Sequence, residues 1–499
     1  MSTTNDDKDT SKGGEKSAPP ATPADVISQT SHTTTIGGRR LKYTATTGRI
    51  ILKAEDEKEG EKPKAAIFFV AYTLDRPEDV SETEHLSSRP VTYAFNGGPG
   101  SSSVWLHLGV LGPRRVVLEQ DGHPLPPPYR LVDNDFGLLD KTDLVFIDPV
   151  TTGFSRAVPG EKDKQFHGFK PDIESVGDFI HLYTSRYHRW ASPKFLIGES
   201  YGTTRSAGLS GYLQERHGLY LNGIALISVV LNFMTLAFDP GNDLPYILFL
   251  PTYAATAHYH KRLGDELQAD LGRTLAEAET FALGPYATAL MQGDALLTDD
   301  RAAIIAGLSR YTGLSPRYIE STNLRINIFR FVKELLREER RTVGRLDSRY
   351  TGIDRNAAGE VNEYDPSYAL IQGPYAAMLN DYIRRELKFE SDLPYEILSG
   401  RVRPWSFEEN QNSYLNVGET LRKAMSMNPH LKVFVANGYY DLATPYLATR
   451  YTFNHLELDE SLRKNITMTY YEAGHMMYIH DPSLAQLKKD LDQFLDESH

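Results

Sequence analysis

One short segment constrains this chain most: residues 194–204, with the sequence KFLIGESYGTT. It opens with an apolar run of strand length, and the small residues that follow are typical of a helix. A strand that becomes a helix across Gly-x-Ser-x-Gly must bend sharply. Gly198 and Gly202 permit the bend, because side chains there would collide with neighbouring elements. The pattern therefore predicts a nucleophile elbow that exposes the hydroxyl of Ser200, with an ordinary strand-to-helix turn as the alternative.

The charge balance and the cysteine count exclude several classes of function. The 499 residues carry 54 basic and 66 acidic side chains, a formal net charge of −12. This argues against nucleic acid as a partner, because phosphate binding needs a basic surface. The chain has no cysteine, so disulfides, thiolate metal sites and cysteine nucleophiles are excluded. We expect no metal or other cofactor, and a bacterial cytoplasmic location, with secretion or a periplasmic location as the alternative.

Patterning divides the chain into four parts. Residues 1–30 are polar and lack the apolar core of a signal peptide, so we expect a disordered tail. Residues 31–238 and 401–499 contain short apolar runs, first in a hairpin about Gly37-Gly38 and then alternating with helices, which predicts one α/β core with a mostly parallel central sheet flanked by helices. Residues 239–400 are mostly helical and are predicted to be a cap inserted into this core. No apolar run is long enough to cross a bilayer, so we expect no membrane association.

Candidates for an acid and a base follow Ser200 in the chain. In α/β-hydrolases the acid and then the histidine come after the serine. Asp441 lies just past a strand-like run, where an orienting carboxylate belongs, although an ordinary loop aspartate is an equal alternative. His475 follows a strand-like run that closes in glycine, and a final amphipathic helix comes next. This layout would return an imidazole to the edge of the sheet, and His480 is its rival.

A glycine-dense loop supplies backbone for an oxyanion hole. The string FNGGPGSSS, residues 95–103, follows another strand-like run. Glycine lets the main chain approach a ligand closely, and N–H groups of such a loop can stabilise the charge that develops on a carbonyl oxygen. A generic Gly-Pro turn is the alternative.

Five sequence blocks together resemble the serine carboxypeptidase family. They are NGGPGSSS, DPVTTGFS, GESYG, the loop around Asp441 and AGHMMY, and they occur in the family's order with a helical insertion between the third and fourth. The resemblance implies an α/β-hydrolase fold with a helical cap. It also implies a serine protease with a Ser-Asp-His catalytic triad that removes single residues from peptide C-termini through an acyl-enzyme. The partner would be a peptide with a free C-terminus; whether the protein forms a homodimer is left open.

The resemblance assigns roles to residues of this chain. Ser200 would be the nucleophile, His475 the base and Asp441 the acid that orients the base. The backbone N–H groups of Gly98 and Tyr201 would form the oxyanion hole.

The same resemblance assigns the substrate's terminal carboxylate to Asn96, Gly97 and Glu199, with Glu199 as a protonated acid. In the family a second glutamate shares a proton with the first, but here that position is Val110. Without a like-charged partner, Glu199 is expected to have a pKa in the ordinary glutamate range.

Three further positions depart from the family pattern, namely Ala94, Ser101 and Tyr478, which replace Trp, Cys and Pro.

An ionised Glu199 would repel an anionic substrate unless a cation intervened. We therefore expect Arg114 or Arg115 to approach the carboxylate, with two solvated arginines as the alternative.

Two other functions stay open at this point. A serine esterase or acyltransferase would use the same acyl-serine chemistry on the same fold. A catalytically inactive hydrolase-fold binding protein is the third hypothesis, and the complete set of candidate triad residues argues against it.

Overall fold

The computed structural model describes residues 23–56, 58, 60–407 and 410–498. Residues 1–22 of the predicted tail lie outside the described residues. The strands are β1 (Val26–Ile36), β2 (Arg39–Asp56), β3 (Gly60–Leu74), β4 (Val91–Phe95), β5 (Arg114–Val116), β6 (Leu131–Asp133), β7 (Asp143–Ile147), β8 (Arg156–Ala157), β9 (Lys194–Ser200), β10 (Gly223–Val229), β11 (Thr342–Val343), β12 (Thr351–Gly352), β13 (Lys432–Gly438) and β14 (Ile466–Tyr471). The helices are α1 (Glu82–Ser88), α2 (Val104–Leu106), α3 (Phe169–Arg186), α4 (Tyr201–His217), α5 (Leu244–Tyr259), α6 (Asp265–Gln268), α7 (Leu271–Phe281), α8 (Ala287–Gln292), α9 (Thr298–Thr312), α10 (Pro316–Ser321), α11 (Ile328–Glu334), α12 (Pro366–Arg385), α13 (Gly418–Met427), α14 (Tyr446–Asn454), α15 (Glu460–Arg463) and α16 (Asp481–Asp496).

A mixed sheet in the order β1-β2-β3-β7-β4-β9-β10-β13-β14 forms the centre of the fold. The neighbours from β7 to β14 pair in parallel, and β1, β2 and β3 add an antiparallel edge. Helices cover both faces, as the alternation of strands and helices predicts. The α/β-hydrolase class predicted from the sequence is confirmed.

The predicted hairpin about Gly37-Gly38 joins β1 and β2, with Ile36 paired to Arg39. Both glycines have positive φ angles, 55° and 74°, which a two-residue hairpin turn requires. Because β1 begins at Val26, the predicted tail extends too far: residues 26–30 pair with β2 instead.

The parallel strands are buried on both faces, which explains their continuous apolar runs. Along β9, Phe195 and Ile197 pack into the hydrophobic cluster on one face of the sheet, whereas Leu196 packs into the cluster on the other. This alternation is the two-residue period of a strand. The packing on both faces fixes the position of β9 and therefore of Ser200 at its C-terminal end.

The chain between β10 and β13 is mostly helical. Helices from α5 to α11 contribute most of a separate hydrophobic cluster. Helix α12 behaves differently, because its Tyr375, Leu379 and Tyr382 join the cluster on the central sheet. The division of the chain at residues 239 and 400 therefore remains a prediction. In the described ranges, no helix is both long and apolar enough to cross a membrane.

Candidate active site

The turn between β9 and α4 has the geometry of a nucleophile elbow. Ser200 has φ 60° and ψ −130°, a conformation that non-glycine residues rarely adopt and that is often found at functional sites. A Cβ atom on Gly198 would lie 2.2 Å from the carbonyl oxygen of Gly202, and one on Gly202 would lie 2.7 Å from that of Phe95. Both glycines are therefore required by close packing, as the sequence predicts, and Ser200 immediately precedes the N-terminus of α4.

The structure brings Asp441 and His475 together from loops that follow neighbouring strands. The Nδ1 atom of His475 lies 2.7 Å from Oδ2 of Asp441, and both side chains are buried. The other carboxylate oxygen accepts the backbone N–H groups of Ala443 and Thr444, at 2.7 and 3.0 Å. Because the carboxylate accepts at Nδ1, the Nε2 atom is left to take a proton. Ser200 and His475 line one cavity of about 270 Å³.

His475 and its rival His480 lie in different environments. Burial disfavours the imidazolium, but the charge and the hydrogen bond of Asp441 outweigh it, so the pKa of His475 lies above its ordinary value. His480 instead directs Nδ1 to the hydroxyl of Ser483, 2.8 Å away, at the start of α16. It is not part of the lining of the cavity that holds Ser200.

The glycine loop after β4 packs against the N-terminus of α4. A Cβ atom on Gly97 would lie 2.3 Å from the backbone nitrogen of Tyr201, so only glycine fits. Gly98 and Tyr201 both line the cavity beside Ser200. Within the described residues, neither of their backbone N–H groups donates to another residue. Two backbone amides from different elements are thus available beside Ser200, and their role as an oxyanion hole remains a prediction.

Glu199 is a buried acid next to Ser200 in the chain. The hydroxyl of Tyr478 donates a hydrogen bond to its Oε2 atom at 2.5 Å. Burial raises the pKa of Glu199 to about 7, although the charge of His475 and the Tyr478 bond act in the opposite direction. The expectation of an ordinary glutamate pKa is therefore wrong. The expectation considered only the like-charged partner lost at Val110, whereas burial is the largest cause of the shift.

The arginines expected near Glu199 lie elsewhere. Arg114 pairs with Asp133 and Glu386, and Arg115 pairs with Asp481 at 3.0 Å. Neither lines the cavity, so this expectation is also wrong. Their position next to Val110 in the sequence did not place them near Glu199, because the strand β5 that carries them pairs with β6 away from the cavity.

Two hydrogen bonds hold Asn96, which lines the cavity. Its side-chain oxygen accepts the backbone N–H of Leu106 at 3.0 Å, and its carbonyl oxygen accepts from Nη1 of Arg205 at 2.7 Å. Arg205 is itself buried in an ion pair with Asp172. The amide nitrogen of Asn96 is close enough to Glu199 to lower its pKa, but it makes no well-formed hydrogen bond in the described part of the chain. This nitrogen is therefore a buried donor available to a ligand.

A segment of the predicted cap, residues 345–348, makes hydrogen bonds to the loops that carry Asp441 and His475. The carbonyl oxygen of Leu346 accepts the N–H of His475 at 2.6 Å, and the carboxylate of Asp347 accepts that of Gly474 at 3.1 Å. Two further backbone bonds reach the loop of the acid, from Leu442 to Arg345 and from Ser348 to Tyr440. Sequence reasoning missed this segment, since its partners lie roughly a hundred residues away and no local motif marks it.

Comparison with known proteins identifies the family of the chain. The family model described as serine carboxypeptidase matches residues 60–484. The chain belongs to the serine carboxypeptidase family. Family membership, which the five sequence blocks predict, is thereby confirmed.

Two relatives show how far the likeness extends. The pheromone-processing carboxypeptidase KEX1 of Saccharomyces cerevisiae is 32% identical over 163 residues, which span 31% of this chain and 20% of that protein. The chain therefore matches about a fifth of the relative's length. The crystal structure of Kex1(delta)p, a prohormone-processing carboxypeptidase from the same yeast, superposes with a TM-score of 0.55 at 16% identity, covering 92% of each chain. At this identity the superposition shows a shared fold.

Proposed function

We propose that this protein is a serine-type carboxypeptidase that releases residues one at a time from the C-terminus of peptides. Family membership and the buried group of Glu199, Tyr478 and Asn96 beside Ser200 support the proposal. That group is the observation that favours an exopeptidase, because a generic serine hydrolase has no need of buried donors for a terminal carboxylate.

The first half of the reaction forms an acyl-enzyme. The hydroxyl of Ser200 attacks the carbonyl carbon of the last peptide bond, and Nε2 of His475 takes its proton. Asp441 holds the imidazole and stabilises the imidazolium. The N–H groups of Gly98 and Tyr201 stabilise the oxyanion of the tetrahedral intermediate. When the C–N bond breaks, His475 gives its proton to the departing amine.

The second half hydrolyses the ester. Water loses a proton to His475 and attacks the acyl carbon, and the same amides stabilise the second oxyanion. The ester bond then breaks, and Ser200 recovers its proton from the imidazolium.

Specificity for the chain end depends on a neutral Glu199. Below about pH 7 the acid is protonated, so it can donate a hydrogen bond to the terminal carboxylate of the peptide. The amide nitrogen of Asn96 would be a second donor, and the backbone of Gly97 would allow the carboxylate to approach closely. Because both donors are buried, a peptide without the carboxylate would leave them unpaired.

Mass spectrometry of a defined peptide over time tests the proposal. We expect a ladder of products, each shorter by one residue at the C-terminus. A C-terminally amidated copy should be cleaved far more slowly, and Ser200→Ala should form no ladder. Internal cleavage would contradict exopeptidase activity, and turnover of a nitrophenyl ester without any ladder would favour the esterase alternative.

The proposed partner is a peptide with a free C-terminus. The comparisons do not support the cytoplasmic location expected from the sequence, so location, like the oligomeric state, remains a prediction to be tested by fractionation and sedimentation.

A further inference from the structure

Two arginines of the cavity have no role in the proposed reaction. Arg345 precedes β12 on the segment that bonds to the triad loops, and Arg403 lies in the chain between α12 and α13. Both line the cavity that contains Ser200. Among the described residues, neither guanidinium group makes an ion pair or a hydrogen bond.

The rest of the cavity gives these cations no counter-charge. Among the residues that the structure describes, Glu199 is the one carboxyl group in its lining, and it is protonated below about pH 7. Most other lining side chains are apolar, among them Trp105, Phe233 and Ile371. Arg345 is half-buried, and a half-buried cation without a partner carries a desolvation cost, which an anionic ligand would offset.

Arg345 acts on a different part of the site from Glu199. Its charge opposes protonation of His475, and its carbonyl oxygen accepts the N–H of Leu442, next to Asp441. Glu199, in contrast, lies at the end of β9 with Tyr478 and Asn96 as neighbours. The terminal carboxylate thus already has its donors, and the arginines are available to a second anionic group.

We propose that Arg345, with Arg403 at the rim, is a specificity-determining residue that binds an acidic side chain of the substrate, so that peptides with Asp or Glu in the last two positions are preferred. The inference rests on the proposed function for the direction of the peptide. A planar guanidinium group binds a carboxylate through two parallel hydrogen bonds. The apolar lining strengthens this attraction relative to water, and a lysine or arginine side chain in the same place would be repelled.

Binding without turnover measures the preference directly. Ser200→Ala protein is titrated by calorimetry with N-benzoyl-Ala-X and N-benzoyl-X-Ala dipeptides, where X is Glu, Gln or Lys. We expect Kd for the Glu peptide to be about tenfold lower than for the Gln peptide in at least one series, which is the scale of one charge-assisted hydrogen bond. The Lys peptide should bind most weakly.

Arginine variants then show which residue causes the preference for the Glu peptide. Arg345→Gln in the same background should reduce the preference for the Glu peptide from about tenfold to about threefold or less. Arg403→Gln should have a smaller effect, roughly two- to threefold, since its side chain is exposed and water screens its charge. Arg385→Gln is the matched control, because Arg385 is exposed on α12 and does not line the cavity.

Three results would overturn the inference: equal affinity for Glu and Gln peptides in both series, a Glu preference that Arg345→Gln does not reduce, or an effect of Arg345→Gln on the free-acid Gln peptide that the amidated Gln peptide does not show. The last result would assign Arg345 to the terminal carboxylate. Failure of the proposed function is recognised separately, as the absence of C-terminal release from the neutral Gln peptide by the protein with Ser200 intact. The affinity ratios are measured whether or not that release occurs.

Discussion

Removing the hydroxyl of Tyr478 tests how Glu199 is kept neutral. Burial raises the pKa of Glu199 to about 7, and the Tyr478 hydrogen bond lowers it, because the hydroxyl stabilises the ionised form. Tyr478 remains a donor over the whole working range, since burial raises its own pKa well above the ordinary value. Tyr478→Phe should therefore raise the pKa of Glu199 further. The phenyl ring should keep its close packing against Gly109. A Cβ atom added to Gly109 would lie 2.4 Å from Cε2 of Tyr478.

The size of the effect follows from the hydrogen bond. A bond to an ionised group contributes about 1.5–3 kcal/mol and a neutral one about 1 kcal/mol, so the ionised form loses roughly 0.5–2 kcal/mol more. A change of one pKa unit corresponds to about 1.4 kcal/mol. The pKa of Glu199 in Tyr478→Phe should accordingly rise by about one pH unit.

The assay is the affinity of Ser200→Ala protein for a neutral dipeptide between pH 5 and pH 9. We expect Kd to be constant below about pH 7 and to rise above it, because an ionised Glu199 repels the terminal carboxylate. With Tyr478→Phe added, the rise should begin about one pH unit higher. With Glu199→Gln, Kd should stay constant. The amidated dipeptide is the matched control, since it carries no carboxylate to repel.

A rise that moves to lower pH in Tyr478→Phe would refute this reasoning. The same rise with the amidated dipeptide would show that another group, such as His475, controls binding. Thermal unfolding at pH 6, where Glu199 is protonated, checks that the variant is folded.

Four further predictions follow from the site. His475→Ala should lower kcat by about four orders of magnitude or more in a steady-state assay, whereas His480→Ala should change it by no more than a few-fold. In urea titrations, Glu199 should contribute a fall of about 3 kcal/mol in the unfolding free energy between pH 4.5 and pH 8, because its raised pKa makes the folded protein bind the extra proton. This contribution is the difference between the curves of the unmodified protein and of Glu199→Gln, and two curves of the same slope would contradict the burial argument. Asp172→Asn leaves a buried arginine unpaired and should cost about 3–5 kcal/mol in the same titration. Asp347→Asn, which weakens the bond to the loop of His475, should lower kcat roughly tenfold with little change in Kd. If kcat and substrate affinity fell by the same factor, the variant would have a general folding defect.

Local sequence determined the elbow at Ser200, the hairpin at Gly37-Gly38 and the buried strands of the sheet. The elbow follows from Gly198 and Gly202, which close packing requires, and the hairpin follows from Gly37-Gly38. Runs of apolar residues marked the buried strands of the sheet. These features can be predicted from sequence because each depends on residues within a few positions of one another. The order of the family blocks added the candidate triad, whose roles stay a prediction here.

Tertiary structure decided the charges and protonation of the cavity. Arg114 and Arg115 follow Val110 in sequence but pair elsewhere, whereas Arg345 and Arg403 reach the cavity from the chain between β10 and β13. The hydroxyl that contacts Glu199 comes from Tyr478, 279 residues further along the chain. A pKa depends on burial and on neighbouring charges, and in this protein both are set by segments that are distant in sequence and meet only after folding.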